Sequence, residues 1–80
     1  MLVTNNGNAI SADNVIVYLL ENPEKNCVEN TENGRCVCTE YALFDQLEFL
    51  LLAEPDEEMP TYNTQFVTDS AEKAIEFLQG

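Results

Sequence analysis

Two groups of side chains in this 80-residue chain have types and spacing that could do chemistry: Cys27, Cys36 and Cys38, and the carboxylates Glu54, Asp56, Glu57 and Glu58. Cys36-Val37-Cys38 together with Cys27 offers at most three thiolates, whereas a structural zinc site takes four ligands. The chain has no histidine to supply the fourth. Glu29 shares the cysteine face in a hairpin register and could serve, but the expected role of the cysteines is that of small buried residues in a reducing compartment. A Cys27–Cys38 disulfide is the remaining alternative. No metal site and no cofactor are expected.

The acidic run offers hard oxygen ligands, yet it lacks the D-x-[DN]-x-[DN]-G-x₅-E order of a calcium loop. It reads either as a solvated loop or as a patch that faces a partner. Paired carboxylates carry no catalytic signal by themselves, because so many acids in so short a chain guarantee close pairs. A sugar-enclosing cleft needs more chain than this. Gly7, Gly34 and Gly80 stand alone, so no phosphate-cradling loop is present. Asp69-Ser70-Ala71 is explained by a helix cap rather than a modifiable serine. No catalytic residue is assigned, and the chain is not read as an enzyme.

Charge narrows the field further. The 15 Asp and Glu outnumber 3 Lys and Arg, giving a formal net charge of −12 and a pI near 4.1. A direct grip on nucleic-acid phosphates needs many more cations, and so does attraction to an anionic membrane surface. Catalytic triads built on histidine are excluded.

Such charge accompanies disorder only when apolar content is low, and here it is 45%. The chain is expected to fold as one domain over residues 1–80. It has no apolar run long enough to span a bilayer and no basic-then-apolar leader, which points to the cytoplasm. Three cysteines agree with that compartment, since secreted domains of this size carry larger, even sets.

These residues require elements to position them. Residues 1–4 form a short edge strand, closed by the turn-rich Asn5-Asn6-Gly7-Asn8. Ser11 or Asp13 caps a helix carrying Val15, Ile16, Leu19 and Leu20, which Asn22-Pro23 stops; Val15, Val17 and Leu19 also alternate as a strand would. Asn33-Gly34 marks a hairpin. A four-residue loop sets Cys27 opposite Cys38 and Glu29 opposite Cys36; a two-residue loop shifts the pairs but keeps the three cysteines on one face, with Val28 and Val37 on the other.

Thr39 caps a helix over residues 40–53, with Leu43, Leu47, Leu50 and Leu51 buried and Asp45 and Glu48 wet. Phe44, Phe49 and Leu52 widen its apolar arc, as core residues or as a docking or homodimer face. An acidic loop follows from Glu54, then a strand over residues 61–67. Asp69 with Glu72 makes a capping box for a last helix that turns Ala71, Ala74, Ile75 and Leu78 inward. The order β-α-β-β-α-β-α predicts an α+β domain of two layers, helices on one face of a mostly antiparallel sheet.

In size, acidity, lack of catalytic groups and compact α+β character, the chain resembles the small acidic inhibitors encoded by phages, the anti-CRISPR and DNA-mimic class. The resemblance covers general character along the whole chain. It implies a non-enzymatic inhibitor in the host cytoplasm that binds a basic, nucleic-acid-binding protein such as a Cas effector or nuclease. Glu54, Asp56, Glu57 and Glu58, with the hairpin acids Glu29 and Glu32, are the expected contacts. Two other readings stay open: an immunity or antitoxin-type protein neutralising a basic toxin, and a host-side acidic interaction module.

Overall fold

A computed structural model describes residues 1–41, 46–52 and 65–80. The elements in chain order are β1 (Leu2–Thr4), α1 (Ala12–Glu21), β2 (Cys27–Asn30), β3 (Cys36–Tyr41), β4 (Leu47–Leu52), β5 (Gln65–Thr68) and α2 (Ala71–Gln79). The strands form one sheet in the order β1-β2-β3-β4-β5, each antiparallel to its neighbour. The expected small α+β domain with an antiparallel sheet is present.

The hairpin forms with the four-residue loop. Cys27 pairs with Cys38, Val28 with Val37 and Glu29 with Cys36. Gly34 takes a φ of +73°, a conformation that a side chain disfavours. Asn30 Oδ1 accepts from the Glu32 amide at 2.9 Å, and Asn33 Oδ1 from the Arg35 amide at 2.9 Å, so both asparagines template the turn.

Strand alternation sends Thr4, Val28, Asn30, Val37, Thr39, Phe49 and Leu51 to one face of the sheet, where all are buried. Val15 and Leu19 from α1, and Ala74 and Leu78 from α2, complete that core with no exposed surface. Ser11 occupies the α1 N-cap position in extended geometry, and Asp13 sits in the first turn, where the helix dipole favours a carboxylate. At α2 the cap is Ser70, whose hydroxyl accepts from the Lys73 amide at 3.3 Å. The expected Asp69 box is therefore corrected by one residue: a Ser and an Asp side by side are equally able to cap, and backbone geometry selects the nearer.

The larger correction concerns residues 40–53. In place of a helix, β3 continues to Tyr41 and Leu47–Leu52 is a strand, β4, set between β3 and β5. Its sequence is apolar on both faces, with Phe49 and Leu51 in the core and Leu50 and Leu52 half-buried on the other side. A central strand apolar on both faces loses the period of two, and a leucine run then fits a helical stripe equally well. Phe44 and Asp45 lie outside the described residues, as do 53–64, which hold the expected acidic loop and the start of the last strand.

Among the described residues every buried polar side chain has a partner. Asn26 Nδ2 donates to the Tyr18 carbonyl at 2.8 Å, and Thr39 Oγ1 accepts from the Glu24 amide at 3.2 Å. The end of α2 is held by the hairpin. Asn30 Nδ2 and Asn33 Nδ2 donate to the Leu78 carbonyl at 2.8 and 3.1 Å, and Arg35 Nη1 donates to the Phe77 carbonyl at 3.0 Å. The Arg35 guanidinium also lies 4.8 Å from the Phe77 ring centroid. Carbonyls of the last helical turn are thus met by side chains of the β2–β3 hairpin, and a cation sits where the dipole favours one. No helix among the described residues is long and apolar enough to cross a membrane.

Candidate functional site

Among the described residues, no helix covers the second sheet face. Cys27 and Glu29 on β2, Cys36, Cys38 and Glu40 on β3, and Glu48, Leu50 and Leu52 on β4 alternate onto it, with Val67 half-exposed on β5. Val28 and Val37, fully buried beneath, fix the strands that hold the cysteines. Cys27 and Cys38 are joined in a disulfide with Cα atoms 4.5 Å apart, the separation of a directly opposed, non-hydrogen-bonded pair. This corrects the expectation of three reduced core cysteines. They are half-buried on the open face, where direct opposition in the register brings two of the sulfurs together.

Cys36 keeps its thiol, 3.7 Å from Cys38 Sγ. Burial, and then the negative charge of Glu29 directly across the ladder, pushes the Cys36 thiol up to about 11 from 9.0. Because the folded value is the higher one, the neutral thiol's contribution to stability is intact below pH 9.0 and disappears as pH rises through about 11. At pH 8 the folded protein should hold roughly a hundredfold less Cys36 thiolate than the unfolded chain and react correspondingly more slowly with iodoacetamide. Mass spectrometry of quenched samples measures the two rates. Equal rates in native and urea-unfolded protein would contradict the assignment.

Carboxylates form two further groupings. Glu40 and Glu48 stand directly opposite each other on the open face, a like-charge pair that destabilises a ladder when nothing offsets it. On the helical layer, Asp13 from α1 and Glu72 and Glu76 from α2 line an open groove of about 500 Å³, floored by Ile16 and Ile75. Among the described residues the one ion pair joins Glu32 to the Met1 amino group, at 3.3 Å, with both partners well exposed. No Lys or Arg side chain there pairs with a carboxylate, and Arg35 is spent on the end of α2.

Of the expected contact residues, Glu29 lies on the open face beside Cys36, and Glu32 lies in the hairpin turn. Glu54, Asp56, Glu57 and Glu58 fall outside the described residues. The groove acids were separately visible in the sequence, Glu72 and Glu76 at one-turn spacing, but only the packing of α1 beside α2 adds Asp13. The Glu40–Glu48 pair needs the β3–β4 register, which a helix over that segment conceals. Comparison of the chain with protein-family models, with curated proteins and with solved structures finds no match in any of the three.

Proposed function

We propose that this domain is a non-enzymatic inhibitor that binds a basic, nucleic-acid-binding surface of a host defence or nucleic-acid enzyme, in the manner of a DNA mimic. The observation that supports it most is charge left unneutralised on a fixed scaffold. Carboxylates line the helical groove, the hairpin and the open face, and no Lys or Arg pairs with them among the described residues. The domain is 36 Å long, an axial length over which duplex DNA carries about 21 phosphates, while the chain carries 15 carboxylates. A basic groove that releases its counterions to DNA would release them to this surface, and the field would steer the encounter. Glu40 and Glu48 gain in addition, since a cation placed between them relieves their repulsion.

The test is retention of nucleic-acid-binding proteins from host lysate on the immobilised domain. Binding should weaken about tenfold or more between low and high salt, and duplex DNA should displace the retained protein. Substituting Asp13, Glu72 and Glu76 together by Lys should weaken it if the groove is the contact, and reversing Asp56, Glu57 and Glu58 tests the acidic run in the same way. Retention that ignores DNA would favour an immunity-type partner. Recovery of no basic nucleic-acid-binding protein at low salt would sink the proposal.

A further inference from the structure

Cys27, Cys36 and Cys38 place three sulfur atoms within 4.8 Å of one another on the open face of the sheet. Two of them share a disulfide, and the third stands at the edge of reach for one. Cys36 is diagonal to Cys27 across the ladder, about 7–8 Å between Cα atoms. It is also two residues from Cys38 along an extended strand, about 6.8 Å. Both separations are at or beyond the outer limit for a disulfide. Cys36 is therefore less well placed than the directly opposed pair to close a disulfide, and its place in the cluster calls for another account.

The spacing supplies one. Tetrahedral zinc with Zn–S bonds of about 2.3 Å sets its sulfurs about 3.8 Å apart. Cys36 Sγ and Cys38 Sγ are 3.7 Å apart. Glu29 opposes Cys36 and follows Cys27 by two residues on the same face, so Cys27, Glu29, Cys36 and Cys38 occupy the four corners of one square of the β2–β3 ladder. Once the Cys27–Cys38 bond is reduced, three short thiol side chains can form the base of a tetrahedron. The Glu29 carboxylate lies outside the sulfur cluster in this structure, and Glu29 has the longer side chain needed to swing over that base.

We propose that the reduced domain binds one thiophilic divalent cation of the zinc class through Cys27, Cys36 and Cys38, with the Glu29 carboxylate as fourth ligand. An external dithiol delivers two electrons and two protons to the Cys27–Cys38 bond and leaves as a cyclic disulfide. The three thiols then lose three protons as the cation binds. Oxidation closes the site by removing two of its donors. The proposal is independent of the inhibitor reading.

The experiment uses the full chain, reduced with dithiothreitol, freed of it anaerobically and titrated with zinc(II) or cobalt(II) while circular dichroism follows the fold. One equivalent should bind and protect all three thiols from alkylation. Cobalt should give a thiolate charge-transfer band and tetrahedral d–d bands. Affinity should fall roughly a hundredfold in Cys36→Ser and roughly tenfold in Glu29→Gln. If reduction alone loosens the fold, one equivalent of zinc should restore the native dichroism. Absence of stoichiometric binding, binding without native dichroism, an octahedral cobalt spectrum, or a Cys36→Ser variant that binds as tightly as the parent would each overturn the proposal.

Discussion

Replacing Asn30 with aspartate should cost the domain about 3–5 kcal/mol at neutral pH. Asn30 is buried, and its Nδ2 donates to the Leu78 carbonyl at 2.8 Å. The isosteric carboxylate removes that donor and sets a negative charge against a carbonyl oxygen in the core. Its remaining contact, acceptance from the Glu32 amide, cannot offset the burial of the charge. A domain of this size has roughly 4–12 kcal/mol in total, so the variant should lose about a quarter or more of its stability. Urea titration of the two proteins measures the difference.

Acid should rescue the variant. Its carboxyl favours the neutral form in the fold, which raises the folded value above the unfolded one. The deficit is then full above the raised value and shrinks as pH falls through it toward about 3.9. Asn33→Asp serves as the control. Asn33 is only half-buried and donates to the same carbonyl at 3.1 Å, so it should cost about 1 kcal/mol. Equal urea midpoints for Asn30→Asp and the parent would refute the role given to this contact.

Removing the disulfide with a Cys27→Ser, Cys38→Ser pair should cost about 3 kcal/mol, the chain-entropy value for a cross-link spanning 11 residues. For a domain of this length that corresponds to a fall of roughly 12–24 °C in Tm. The closed loop contains the hairpin whose asparagines hold the end of α2, so the loss should reach the helix as well as the strands. Hydrogen exchange should show the α2 amides opening sooner in the double variant, and thermal melts of the parent with and without dithiol should reproduce the shift in metal-free buffer. An unchanged Tm would show that the ladder alone holds the two strands.

The hairpin and its cysteine face were legible in sequence from Asn33-Gly34 and strand alternation, whereas the choice between a two-residue and a four-residue loop, and with it the register, came only from the structure. Both outer helices were legible too, since Val15 and Leu19, and Ala74 and Leu78, sit one turn apart beside capping residues. Leu47–Leu52 was not, because its residues are apolar on both sides of the strand and erase the period that separates strand from helix. The cysteine face followed from that alternation, whereas the oxidation of Cys27 and Cys38 did not. Alternation tells which side a residue takes, and covering by helices decides which side is core. The contacts of Asn30, Asn33 and Arg35 with α2 had no local signal, as they join residues more than 40 apart in sequence.

Those same contacts set an order on the folding reaction. Every strand pairs with its sequence neighbour, so the sheet can grow by short loop closures, starting with the four-residue turn of the hairpin. The bond from Asn30 to Leu78 spans 48 residues, and closing that interval costs about 2 kcal/mol more loop entropy than closing the turn. The sheet is thus assembled locally, while α2 arrives last and latches onto a hairpin already in place. Its departure is accordingly the first step of unfolding, and it bares the part of the dried sheet face that Ala74 and Leu78 cover while α1 keeps the rest.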